Sequence, residues 1–384
     1  MKEVPIVFIG HKDHGKSSLI ARLLLDTNSV KQSVLKDIKS ADKEEGKNFE
    51  IAHILDSFKE ERQNEMTIDS TTASIRRGSG VYQLIDVPGH IELISNMLTG
   101  ASLAKAAILV ISADEGIKEQ TIKHLELAEI LGIKNLAVAI NKIDLIGYEK
   151  EGFLKIVSKI KPILQSVGFN QIQFFPVSAK DGSNVIKKSK STPWYKGKTL
   201  ADFIFNVKVK NLKNEKMRFL VQDRFAGPEN IIVGRVESGT IKKGQEICFF
   251  PGNIKAKIKF IKDFEKEIKK ASAGQGIGIV LDKDIIIERG SVGFEKGVRP
   301  TTGKILKGKI FWIDSAKSRK LICECGNAAA QGTILSPKKP IASAKSLYKI
   351  SLDKCIVYDP ESSGSLGKIV LKEDGKIIAV GNTL

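Results

Sequence analysis

VPIVFIGHKDHGKSSLIARLLL, residues 4–25, decides the architecture. Val4–Ile9 is an apolar run of strand length. GHKDHGKS, residues 10–17, fits G-x-x-x-x-G-K-[ST], and Ser17–Leu25 has helical periodicity rich in leucine. Strand, Gly-rich loop and helix, in that order, is the setting in which this pattern surrounds a phosphate. Gly10 and Gly15 let backbone N–H groups face phosphate oxygens, and the helix N-terminus adds positive potential. Lys16 is placed to reach β- and γ-phosphates, and the Ser17 hydroxyl to bind Mg²⁺.

The alternation continues downstream. Tyr82–Asp86 and Ala106–Ser112 read as buried strands, Thr121–Leu131 as an amphipathic helix and Leu136–Ile140 as a strand. Phe153–Val167 is a further helix and Phe174–Val177 a further strand. Apolar strands alternating with helices predict a parallel sheet covered on both faces. Past TPWYKGKTL, residues 192–200, no long helical period persists. Short β-branched runs recur between Gly-containing turns, which predicts β-barrels. The expected organisation is an α/β P-loop domain with a mostly parallel sheet over 1–196, followed by two small β-barrel domains over 201–292 and 300–384.

Three more motifs each follow a strand. In DVPGH, residues 86–90, Asp86 can hold Mg²⁺ through water and the Gly89 amide can sense a γ-phosphate. In NKID, residues 141–144, the Asp144 carboxylate matches the adjacent N1–H and N2–H₂ donors of guanine, whereas adenine leaves it unpaired. The Lys142 stem can cover the base and Asn141 can tie loops together. Ser178, Ala179 and Lys180 follow the next strand and can close the base pocket. Four motifs in this order predict a guanine-nucleotide site for GTP or GDP with Mg²⁺, lined also by His11, Asp13, His14 and Ser18. His11 and His14 flank Asp13 without a further ligand cluster, so no metal is expected on them.

GHKDHGKSS, ERQNEMTID, DVPGH, NKID and SAKDGSN together resemble the translation-factor GTPases. That superfamily includes elongation factor Tu, elongation factor 1-alpha and the GTPase subunit of sulfate adenylyltransferase. The resemblance runs over nearly the whole chain, since TPWYKGKTL and GRVESGTIKKG are similar to the family's linker and second domain. It implies that Thr67 joins Ser17 on Mg²⁺ in the GTP state. It also implies that His90 orients or polarises the attacking water, with Lys16 completing the catalytic set. Residues 30–66 are then one switch segment, and Asp86 to about Ile94 the start of another. Three positions depart from the family pattern: Lys12 where an aliphatic residue is usual, Glu65-Met66 where Gly-Ile is usual, and Asn64 where an arginine is usual. They bear on hydrolysis and not on nucleotide binding.

Within the superfamily, PGHIELISNMLTGAS, ASAGQGIGIVLDKDIIIERG and KIFWIDSAKSRK look most like the sulfate adenylyltransferase GTPase subunits. GHKDH and VIKKSKSTPWY look more like the translation branch. The expectation is a regulatory GTPase partnered with a catalytic nucleotidyltransferase subunit. The alternatives are an elongation-factor-like GTPase partnered with tRNA or the ribosome, supported by Glu237 in GRVESG, and a GTP-dependent scaffold with little hydrolysis.

The 384 residues carry a net charge of +18, of which +4 falls on residues 1–200 and +14 on residues 201–384. A basic rear half suits an acidic partner, and equally a set of dispersed, solvated lysines. Lys255, Lys257 and Lys259 share one strand face, read more readily as a solvated barrel wall than as an RNA stripe. The four cysteines form no C-x-x-C pair, so a reducing, cytoplasmic setting is expected. Cys323 and Cys325 read as core thiols. Trp194 and Tyr195 are expected to pack the domain junction. No apolar run is long enough to span a bilayer, and MKEVPIVFIG has no cleavage-site pattern, so neither a membrane span nor a signal peptide is expected.

Overall fold

The computed structural model describes residues 2–30, 71–86, 104–208, 215–225, 227, 229–264, 266–314, 316, 318, 320–337, 345–360, 362 and 364–384. The chain divides into two compact units, Met1–Val209 and Lys210–Leu384.

The first unit is built on a six-stranded sheet. Its strands are β1 (Lys2–Ile9), β2 (Thr71–Arg77), β3 (Gly80–Asp86), β4 (Ala106–Ser112), β5 (Asn135–Asn141) and β6 (Gln173–Pro176), in the spatial order β2-β3-β1-β4-β5-β6. All neighbours run parallel except the β2–β3 pair at the edge, which is antiparallel. Every residue of β4 is buried, as a central strand covered on both faces requires. The helices are α1 (Lys16–Asp26), α2 (Glu119–Ile130), α3 (Lys150–Val167) and α4 (Leu200–Phe205). On α3 the buried residues Phe153, Ile156, Ile160 and Leu164 recur at three- and four-residue steps and form one apolar stripe. Gly168 ends that helix in the left-handed region, φ 114°, with its N–H and that of Phe169 bonded back to Leu164 O.

The second unit holds two barrels. The first comprises β7 (Arg218–Phe225), β8 (Ile231–Ser238), β10 (Glu246–Phe250), β11 (Ile254–Asp263), β14 (Gly276–Leu281) and β15 (Val292–Glu295). It closes through the β10–β11 pairing, with β12 (Lys266–Ile268) appended to β11 and the short pair β9 (Thr240–Lys242) and β13 (Lys270–Ser272) beside it. The second barrel is closed in the order β16 (Thr301–Trp312), β19 (Lys345–Tyr358), β18 (Ala328–Ser336), β17 (Lys320–Cys325), β20 (Lys368–Glu373) and β21 (Lys376–Thr383). Arg218 and Asp359 form a buried ion pair between the two barrels, with Arg218 Nε donating to Asp359 Oδ2 at 2.6 Å.

The structure corrects several sequence expectations. Residues 200–205 belong to the first unit, because Leu200, Ala201 and Ile204 of α4 pack into its core. A barrel ending at 292 would lose β15, whose Val292 and Phe294 are buried and whose backbone pairs with both β7 and β10. Trp194 and Tyr195 pack on the first unit itself: the Trp194 ring lies 5.3 Å from Phe153, and its Nε1 donates to Tyr148 O at 2.8 Å. Strand β18 was not expected because Ala328, Ala330 and Gly332 are weak strand formers, yet their side fits the barrel interior. Lys255, Lys257 and Lys259 do lie outward on β11, and Cys323 and Cys325 inward on β17. Burial pushes the Cys323 thiol up to about 12 and holds Cys325 higher still, so neither is a thiolate near neutral pH.

Candidate functional site

The parallel strands β1, β3, β4 and β5 all end on the same edge of the sheet, and the loops after their carboxyl ends converge there. Gly10 follows β1, Asp86 ends β3, Ser112 ends β4 and Asn141 ends β5. Ser178 lies just past the parallel strand β6.

The loop from Gly10 to Gly15 depends on its two glycines. A Cβ on Gly10 would sit 2.3 Å from Val110 O, and one on Gly15 would sit 2.4 Å from Asn141 Nδ2. Both have positive φ, 139° and 82°, and Asp13 between them adopts the left-handed conformation at φ 63°. The Gly10 N–H donates to His124 Nδ1 at 3.0 Å, which pins the loop to α2. His11 Nδ1 lies 2.5 Å from Gln120 Oε1, also on α2. His14 is fully buried; its Nδ1 lies 3.3 Å from Val110 O, and its Nε2, 3.9 Å from Glu115 Oε2, has no hydrogen-bond partner among the described residues. Burial pulls the His14 pKa below its ordinary value, which outweighs the opposing pull of Val110 O and Glu115. These contacts fix both histidine rings within the phosphate loop.

Lys16 opens α1, and its ammonium donates to Gly10 O at 3.0 Å and His11 O at 2.9 Å. It is held across the loop rather than out in solvent. Burial pushes its pKa down, while Asp86 and Asp13 pull it up. Ser17 Oγ donates to Asp86 Oδ2 at 2.5 Å, and Asp86 Oδ1 is buried with no hydrogen-bond partner among the described residues. A hydroxyl and a carboxylate with a spare acceptor form a hard oxygen pair of the kind Mg²⁺ takes, which fits the roles expected of Ser17 and Asp86. Ser18 is half-buried in the first turn of α1.

The second half of the site is held by Asn141. Its Nδ2 donates to His14 O at 3.0 Å and its Oδ1 accepts the Ala179 N–H at 3.0 Å. One side chain thus joins the loop after β1 to the loop after β6. Lys142 takes the left-handed conformation at φ 59°, and Asp144 follows in a single 3₁₀ turn, Ile143–Ile146. Asp144 Oδ1 is buried without a hydrogen-bond partner among the described residues. Ser178 and Ala179 are buried and Lys180 is exposed. An orphaned buried carboxylate oxygen costs free energy unless a donor meets it, so the arrangement fits a ligand with N–H donors.

Sequence reading did not single out the residues that brace these loops. Arg22, on α1, donates from Nε to Ala179 O at 2.8 Å and from NH2 to Lys180 O at 2.5 Å. Tyr148 donates its hydroxyl to Asp181 Oδ2, and this bond pushes the phenol up to about 12. Contacts between positions so far apart in the chain leave no local signal. Thr67, Gly89 and His90, the expected switch and catalytic positions, lie outside the described residues. So do Asn64, Glu65 and Met66. Lys12 is exposed in the phosphate loop. Among the described residues no group of three or more His, Cys, Asp or Glu side chains is placed to hold a metal, and none of the helices is long and apolar enough to cross a membrane.

Residues 1–217 match the family model described as the elongation factor Tu GTP binding domain, and residues 215–293 the one described as elongation factor Tu domain 4. Among curated proteins, the chain is 39% identical over 279 residues to elongation factor 1-alpha of Methanosarcina barkeri, covering 71% of this chain and 66% of that protein. It is 37% identical over 284 residues to elongation factor 1-alpha of Thermococcus kodakarensis, covering 72% of this chain and 66% of that protein. Against elongation factor 1-alpha of Pyrococcus horikoshii it is 37% identical over 311 residues, covering 78% and 72% respectively. The chain thus spans just under two thirds of the length of the first two relatives.

Proposed function

Because the chain belongs to the translation-factor GTPases, as its match to the elongation factor Tu GTP binding domain over 1–217 establishes, we propose that it is a Mg²⁺-dependent GTPase switch acting in translation. The observation that carries this reading is a pair of buried carboxylate oxygens without a hydrogen-bond partner among the described residues. Asp86 Oδ1 sits beside the Ser17 hydroxyl and Asp144 Oδ1 lies in the loop after β5, on the edge of the sheet where the loops meet. One suits the metal and the other suits guanine.

Each residue's part follows from its placement. The loop from Gly10 to Gly15, with Lys16, takes the phosphates. Lys16 exchanges two neutral carbonyl acceptors for anionic oxygens, so a shift of its proton affinity upward accompanies binding. Ser17, Thr67 and Asp86 would hold Mg²⁺, which would supply charge neutralisation at the phosphates. Asp144 accepts from guanine, Lys142 covers the ring, and Ser178, Ala179 and Lys180 close the pocket. Thr67 and the Gly89 N–H sense the terminal phosphate, and His90 orients the attacking water.

The relatives are named elongation factor 1-alpha, and this favours the translation reading over the sulfate-activation reading that several sequence stretches suggested. On this reading the partners are aminoacyl-tRNA or the ribosome, and the place of action is the cytoplasm. The test is a native pull-down of the tagged chain held in a non-hydrolysable GTP analogue, with RNA and protein read together. Co-purifying tRNA or ribosomal subunits supports the proposal. A stoichiometric nucleotidyltransferase subunit without RNA overturns it in favour of sulfate activation. A single-turnover rate on GTP that His90→Ala abolishes separates a hydrolysing switch from a scaffold.

A further inference from the structure

A cavity of about 980 Å³ opens in the second unit, between the first barrel and the opening strand of the second. Phe250, Pro251, Val298 and Pro300 form the apolar part of its lining. Phe250 is fixed against Phe294 with ring centroids 5.9 Å apart. Five cations line it: Lys255, Lys257, Lys283, Lys296 and Arg299.

The two carboxylates in the lining are already engaged. Glu246 pairs with Lys296 at 2.7 Å. Asp282 Oδ1 accepts the backbone N–H of Lys257 at 2.8 Å, and the Asp282 N–H donates back to Lys257 O at 2.9 Å. These bonds fix Lys283 next to β11. In the β10–β11 register Lys255 stands opposite Cys248 and Lys257 opposite Glu246. Both lysines point outward on the strand face that walls the cavity. Among the described residues Lys255, Lys257, Lys283 and Arg299 have no carboxylate within ion-pair distance, although Glu246, paired with Lys296, also feels the charges of Lys257 and Lys255. Several cations gathered on one concave surface repel one another unless an anion enters.

We propose that this groove binds an organic phosphate, its anionic group between Lys255, Lys257, Lys283 and Arg299 and its apolar body on Phe250, Pro251 and Val298. The volume suits a ligand of small-molecule size. The site is separate from the nucleotide pocket, being built wholly from residues 246–355. Its lining draws on both barrels, with Cys248 on β10 and Cys355 on β19.

The test uses the full chain saturated with GDP, so that the nucleotide pocket is filled. 1-Naphthyl phosphate is titrated by calorimetry at low salt, with inorganic phosphate in parallel. The expected result is one saturable site for 1-naphthyl phosphate and weaker binding of inorganic phosphate. The charge reversal Lys257→Glu with Lys283→Glu is expected to weaken binding by about tenfold or more, and Lys283→Arg to preserve it. Retained GDP binding shows that each variant folds. No saturable binding overturns the proposal, as does binding that the double reversal leaves unchanged. Binding of a single-stranded oligoribonucleotide without 1-naphthyl phosphate binding also overturns it, and assigns the cations to a nucleic-acid backbone.

Discussion

Gly15 and Asn141 occupy one another's space: a Cβ on Gly15 would lie 2.4 Å from Asn141 Nδ2, the atom that donates to His14 O. The same asparagine accepts the Ala179 N–H, so the phosphate loop, the base loop and the loop after β6 are set by one buried amide. Gly15→Ala therefore strains a residue at φ 82° and pushes Asn141 off both partners at once. We expect the variant to lose about 1–3 kcal/mol of stability and most of its GDP affinity. Asn141→Ala is expected to share the stability loss without backbone strain at Gly15. Urea midpoints and GDP titrations of the two variants test this; a Gly15→Ala chain that binds GDP normally would show that the loop tolerates the displacement.

Asp144 offers a buried acceptor, Oδ1, that no donor among the described residues meets. Asp144→Asn turns one of its two oxygens into an NH₂ donor, which repels N2–H₂ of guanine and meets the carbonyl of xanthine instead. Guanine affinity should fall by about 10³-fold and xanthine affinity should rise, since a mismatched buried donor discriminates on that scale. Competition of GDP and xanthosine diphosphate for the variant reads the switch directly. Unchanged preference would remove Asp144 from the base contact.

Much of this site was legible in the chain because its chemistry is local. Gly10, Lys16, Ser17, Asp86, Asn141 and Asp144 fall inside short motifs, each placed by the strand that precedes it. The strands themselves were readable where they are fully buried, as in Ala106–Ser112, whose bounds match the apolar run. What escaped is long-range. Arg22 reaches Ala179 and Lys180, and His124 meets Gly10, only because the sheet brings α1 and α2 to the same loops. The edge strand β2 pairs antiparallel to β3 and alternates polar with apolar residues, so it lacks the continuous apolar run by which the central strands are recognised. Barrel strand β15, with only four residues, is defined by its neighbours and not by its own composition.

His14 gives the fold an acid sensitivity. It is buried, and desolvation holds its folded pKa below the ordinary 6.5. Above that value both folded and unfolded chains carry it neutral and it adds no pH dependence. As pH falls through 6.5, the unfolded chain takes up the proton first, so stability declines until the pH passes the lower folded pKa. The thermal midpoint should fall as pH drops below about 6.5, and His14→Gln should flatten that part of the profile. A slope of the same size in the variant would show that His14 is not its source.

Glu237, in the GRVESG stretch, is committed inside the second unit. Its Oε1 accepts the Ser365 N–H and, at 2.9 Å, the Ser365 hydroxyl, so it clasps the first barrel to the turn before β20. A Cβ on Gly364 would lie 2.0 Å from that oxygen, which explains why the neighbouring position is glycine. A carboxylate so placed is a structural tie before it is a ligand contact. Glu237→Ala leaves the Ser365 N–H without its acceptor and is expected to cost about 1–3 kcal/mol, with Glu237→Gln recovering part of it through the remaining carbonyl oxygen. GDP affinity should be unchanged in both, since the nucleotide site lies in the other unit. Urea unfolding with parallel GDP titration checks the pair. A Glu237→Ala chain of full stability that fails only to retain tRNA would instead make this carboxylate part of a partner-binding surface.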